Sequence, residues 1–136
     1  MESNPTPARS TTSRPRFRWV IVLGASLLAL FAAIVVIEEL VSGRLLASSG
    51  TAIINLLTAL AAIGGAFGYA FRRRWGMPAF GVSVIGHFTA HTILILNAIA
   101  ANRVTVYAIA GLSFIPVVSL LVLVAMGWEN GRRGRS

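Results

Sequence analysis

The stretch 80-FGVSVIGHFTAHTILILNAIAA-101 decides the fold. It holds no arginine, lysine or acid, and at about 1.5 Å per helical residue it is long enough to cross a hydrocarbon core of about 30 Å. It also holds both histidines of the chain, His87 and His91. Four residues apart on a helix, they lie about 40° apart around the axis and one turn along it, so they share a face. Polar groups are costly in the middle of a span, which makes this face the first place to look for function.

Three more apolar runs flank it. Trp19–Ile37 follows Arg14, Arg16 and Arg18, and its apolar core from Val20 to Ile37 exceeds the roughly 7–15 residues of a signal-peptide core. A retained helix over 18–40 is therefore expected in place of a cleaved leader. The second run, 51–71, ends at Arg72-Arg73-Arg74-Trp75-Gly76-Met77-Pro78, where a charge triplet, an interfacial tryptophan and a proline form a stop signal. After the third run, 80–101, the short Asn102-Arg103-Val104 connection makes spans three and four antiparallel neighbours. The fourth run, 105–128, is closed by Trp128 and by Arg132, Arg133 and Arg135. Within it Pro116 deprives the Leu112 carbonyl of its helical donor, so a kink is expected there. Residues 1–17, rich in Ser, Thr, Pro and Arg, read as a disordered tail, 18–128 as the membrane domain and 129–136 as a second tail. The expected fold is an all-α integral membrane protein built as a four-helix bundle.

Composition agrees. Of 136 residues, 56% are hydrophobic and 12% charged, with a mean hydropathy of +0.78, too apolar for an ordinary soluble domain of this size. The net charge of +8 comes from twelve arginines, which gather at span ends and form no basic face with interleaved aromatics. This points to anionic lipid headgroups and away from nucleic acid. The absence of cysteine excludes disulfides and cysteine metal sites.

The arginines also orient the chain. Ten lie in the N-terminal tail, the 72–74 loop and the C-terminal tail, and only Arg44 and Arg103 in the other two loops. Basic residues on short segments stay inside, so both termini are expected in the cytoplasm, with the chain in the cell membrane. Arg72, Arg73 and Arg74 read as a topogenic signal or a lipid-headgroup contact.

Lipid offers no hydrophobic drive for helix association, so small residues mark close contacts. Ala25, Ala29 and Ala33 form one such ridge, and Gly64 and Gly68 another, suited to internal packing or to a homo-oligomer. Counting from the span ends gives a depth map. It sets His87 level with Ser26, Gly64 and Ser119, and His91 near the midplane, level with Ser113 and Pro116. Asn55 and Asn97, near the outer ends, would bond across spans two and three. Glu38 and Glu39 read as interfacial caps, with cation binding as the sharper alternative.

The histidine pair admits four readings. Two neutral imidazoles can hydrogen-bond serines or carbonyls and fix the packing. They can relay protons, since an imidazole titrates near neutrality. They can bind haem, although two ligands one turn apart cannot take opposite axial positions on one iron, so each needs another partner. They can begin a zinc site, whose third ligand only Glu38 or Glu39 would supply. No catalytic set or phosphate-cradling loop is present, and neither an enzyme nor a cofactor is expected. Four short helices are similar in architecture to the small multidrug resistance transporters, but the glutamate those proteins carry deep in the first span has no counterpart before Glu38. The leading expectation is a small non-enzymatic protein that acts through helix association, as an accessory subunit of a partner membrane protein or as a homo-oligomer. A proton-coupled transporter using His87 and His91 comes second, and a haem-binding electron-transfer subunit third.

Overall fold

The computed structural model describes residues 15–43, 50–102 and 105–133. They form four helices, α1 (Pro15–Val41), α2 (Gly50–Ala70), α3 (Gly76–Ala100) and α4 (Val106–Arg133). Each is long and apolar enough to cross a membrane. The tail before Pro15, the loop residues 44–49 with Arg44, the connecting residues 103–104 and the tail 134–136 with Arg135 lie outside the described residues.

The helices start and stop where backbone chemistry allows, and this moves some expected boundaries. Proline occupies the first position of α1 and the third of α3. The amides it lacks there have no helical partner in any case, so it does not interrupt either helix. Pro78 therefore sits inside α3, and the connection from α2 shrinks to Phe71–Trp75. The end of α2 is a Schellman turn: the Arg72 amide donates to the Tyr69 carbonyl at 3.1 Å and the Arg73 amide to the Gly68 carbonyl at 2.7 Å. At its centre Arg72 has φ +57°, the left-handed region that glycine usually fills. At its C-terminus α4 runs past Trp128 to Arg133.

Sequential helices pack antiparallel, α1 on α2, α2 on α3 and α3 on α4, and α4 closes the square against α1. The α2–α3 seam is the most extensive and α1–α4 the slightest. Buried positions recur at three- and four-residue steps: Ile21, Ala25, Leu28, Ala32 and Glu39 on α1, and Ala52, Ala59, Ala62, Ala66 and Tyr69 on α2. Gly76, Phe80, Ser83, His87 and Ala90 continue the pattern on α3, as do Ser119, Met126 and Glu129 on α4. Such steps turn one row of each helix inward, as a helix bundle requires.

Small residues set the α2–α3 distance. A Cβ added at Gly65 would lie 2.6 Å from the Phe80 Cα, and one at Gly68 would lie 2.7 Å from the Gly76 Cα. A Cβ at Gly86 would overlap the Thr58 hydroxyl. Of the expected glycine pair, Gly68 is in the seam, but Gly64 meets only the Trp75 ring, at 3.7 Å. The working pair is Gly65 and Gly68. Likewise Ala25 and Ala29 are buried in the core while Ala33 is half-buried, and Ala32 takes the inward position.

Candidate functional site: buried polar groups along the bundle axis

The α2–α3 contacts fix the depth of each polar group. Gly68 lies against Gly76, Gly65 against Phe80 and Thr58 against Gly86, so residue numbers on the two helices sum to about 144 at equal depth. His87 is eleven residues after the start of α3 and thirteen before its end, which puts it at the middle of the helix. His91 lies one turn beyond. The sequence count placed His87 shallower because it began α3 at Phe80 instead of Gly76. Gly64 therefore stands level with Phe80, and Thr58, not Gly64, shares the layer of His87. On α4, the contacts of Gly81 with Leu123 and of Met77 with Asn130 bring Ser119 to the depth of His87 and Ser113 to that of His91, as the sequence count had it.

His87 is buried at 4% exposure, and among the described residues neither ring nitrogen has a hydrogen-bond partner. The hydroxyls in and beside its layer turn to their own helices. Ser83 donates to the Phe80 carbonyl at 2.7 Å, Ser119 to the Pro116 carbonyl at 2.8 Å and Thr58 to the Ile54 carbonyl at 2.7 Å. This is the usual local bonding of hydroxyl side chains in apolar helices. Ser26 is exposed on the outside of α1 and Ser113 is half-buried. The expected serine-to-histidine bonds are thus absent among the described residues.

His91 is half-buried and anchored. Its Nδ1 lies 2.8 Å from the His87 carbonyl. A carbonyl only accepts, so Nδ1 carries the proton and Nε2 keeps its lone pair. The two rings stand edge to face with centroids 6.3 Å apart.

The acids differ from expectation. Glu38 is exposed, but Glu39 is buried at 8% exposure. Its Oε1 accepts from the Asn55 side-chain amide at 2.8 Å, and Oε2 has no partner among the described residues. By the α2–α3 register, Asn55 stands level with residues 89–90 of α3, between the layers of His87 and His91. Glu39 is therefore a buried carboxyl two residues before the end of α1, bonded to α2 through Asn55. Asn97 is exposed, and Asn55 bonds across α1 and α2 instead of α2 and α3.

The arginine-rich end carries a second buried group that sequence reasoning passed over. The Tyr69 hydroxyl donates to the Glu129 carboxylate across the diagonal of the bundle, and both side chains are buried. The Arg18 guanidinium donates to the Ala70 carbonyl at 2.5 Å and to the Tyr69 carbonyl at 3.3 Å, where the negative dipole end of α2 favours a cation. The signal for Tyr69 and Glu129 was their spacing, since each continues the inward row of its helix by one step.

The buried groups thus follow the bundle axis: Tyr69 and Glu129 at one end, His87 in the middle, then His91 and the Asn55–Glu39 pair. No cluster of three or more His, Cys, Asp or Glu side chains suited to a metal ion occurs among the described residues, so the zinc reading lacks its third ligand there. No protein-family model, curated protein or solved structure matches this chain.

Proposed function

We propose that this chain is a multi-pass protein of the cell membrane that moves protons through its helix bundle, alone or coupled to a substrate. His87 is the central titrating group, His91 its neighbour in the relay and Glu39 the carboxyl on the far side. The observation that supports the reading is the imidazole of His87, which has no partner among the described residues. A packing histidine hydrogen-bonds its neighbours, because a buried polar group left unpaired costs about 1–3 kcal/mol. Ring nitrogens that no described side chain or carbonyl engages are open to a proton or to water entering the bundle. His91 suits the next position, since its Nε2 is the free basic atom. The two rings are neighbours, with centroids 6.3 Å apart. With the arginine-rich end in the cytoplasm, Tyr69 and Glu129 stand at the inner mouth of this path.

The test is proton flux into liposomes holding the purified protein, between about pH 5.5 and 8, the range in which an imidazole changes charge. Wild type is expected to carry protons in a pH-dependent manner. His87→Gln is expected to abolish the flux with the fold retained, because an amide hydrogen-bonds but does not titrate. Flux that persists in His87→Gln would overturn the assignment. Absence of flux in wild type, together with a co-purifying partner or a second copy in native mass spectrometry, would replace the proton reading by helix association. The apolar exterior supports that alternative, but contact with lipid accounts for the same surface.

A further inference from the structure

At the arginine-rich end, a cavity of about 300 Å³ is lined by Tyr69, Arg72, Arg73, Arg74, Met77 and Asn130. It lies under the turn between α2 and α3 and reaches the end of α4. We propose that it binds the phosphate of an anionic phospholipid, held by the guanidinium groups of Arg72, Arg73 and Arg74. The inference is independent of the histidine layer.

Three observations carry it. Three arginines line one small cavity, and guanidinium is the side chain whose planar fork matches phosphate oxygens in two-point contact. The cavity also sits at the N-terminus of α3, where Trp75 precedes the helix without a side-chain cap, and the positive dipole end of a helix adds to the attraction for an anion. The nearby Glu129 does not present a bare carboxylate, since the Tyr69 hydroxyl donates to it.

The second observation is the backbone of Arg72. A left-handed residue inside a Schellman turn is ordinarily glycine, yet this one is arginine at φ +57°. A conformation that costs energy and is kept at a residue lining a charged cavity points to a use for that side chain.

The third observation identifies the source of the phosphate. Phe71, Trp75, Trp19 and Trp128 are all exposed at this end of the bundle. Tryptophan and other aromatics at the ends of apolar helices mark the headgroup level of a leaflet. A basic cavity at that level faces lipid phosphates, and the acyl chains of the bound molecule would continue along the apolar outer faces of α2 and α3. A soluble phosphate shares the headgroup chemistry but gains nothing from those faces.

The experiment is native mass spectrometry of the full chain released from a mild detergent, after addition of phosphatidylglycerol, phosphatidylcholine or inorganic phosphate in separate samples. One phosphatidylglycerol is expected to stay bound at activation energies that strip phosphatidylcholine. Arg72→Gly, which leaves the turn its preferred residue, is expected to lower that occupancy about tenfold, as is Arg73→Gln. Arg16→Gln removes one charge from the same end without touching the cavity and is expected to leave occupancy unchanged. Equal losses in Arg16→Gln and Arg72→Gly would mean diffuse charge attraction and overturn the site. In a further sample that holds both, displacement of phosphatidylglycerol by inorganic phosphate at comparable concentration would make the ligand a soluble anion and overturn the lipid assignment. Equal retention of the two lipids would overturn both. A melting curve for each variant confirms that the fold is kept, and Arg73→Gln provides a second reading should Arg72→Gly alter the turn.

Discussion

Replacing His87 by leucine separates a packing histidine from a working one. The side chain is 4% exposed and both ring nitrogens lack a partner among the described residues. A buried polar group left unpaired costs about 1–3 kcal/mol, and an apolar group of similar size removes that cost. The change of shape, from a flat ring to a branched chain, returns up to about 1.5 kcal/mol of strain or lost contact. The balance is a stabilisation on the order of 1 kcal/mol for His87→Leu. A hydrogen-bonded packing histidine would give the opposite sign, because its partner would then be stranded. The assay is thermal unfolding in mild detergent, run beside the liposome flux measurement on the same preparations. His87→Leu is expected to melt higher than wild type while carrying no protons, the trade of stability for activity found where a protein keeps an unfavourable group for its function. A loss of 2 kcal/mol or more would show that the imidazole is satisfied in the folded protein and would refute its role as the open group of a proton path.

Three further outcomes follow from the packing and the arginines. Gly65→Leu is expected to cost about 1–3 kcal/mol by overpacking, since its Cβ would meet the Phe80 backbone at 2.6 Å. Gly64→Leu, with only the Trp75 ring at 3.7 Å, is expected to stay within about 0.5 kcal/mol of wild type, and equal losses in a melting comparison would contradict the seam described for α2 and α3. Arg72→Gly is expected to raise the melting temperature: relief of the left-handed backbone gives about 1–2 kcal/mol, against about 0.5–1 kcal/mol for the added freedom of the unfolded chain. A lower melting temperature would mean that the arginine side chain itself holds the turn. Reporter fusions at Met77 and Ser136 are expected to read cytoplasmic and one at Ser48 external, and an external C-terminus would refute the orientation drawn from the arginines.

The apolar runs, the arginine clusters and the absence of cysteine were enough to count the helices and to place the histidines on one face of the third. Hydrophobic length and charge are properties of a segment by itself, which is why they can be read in one dimension. What a side chain meets is a property of several segments at once. Glu39 looked like a cap because it ends an apolar run, yet the inward row of α1 passes through Ile21, Ala25, Leu28 and Ala32 and arrives at it. Its partner Asn55 follows from the register of α1 on α2 and not from either sequence. Tyr69 and Glu129 lie sixty residues apart in the chain and meet only because four helices close into a square. The depth of His87 hinged on whether Pro78 stops a helix or begins one, and the tight turn at Arg72, set by glycines packed against Gly76 and Phe80, decided it. The sequence alone determined that two imidazoles lie within a span. Only the packed bundle decided that the serines beside His87 bond to their own backbones and leave it without a partner among the described residues, because hydroxyl rotamers answer to the local carbonyl before they answer to a neighbouring helix.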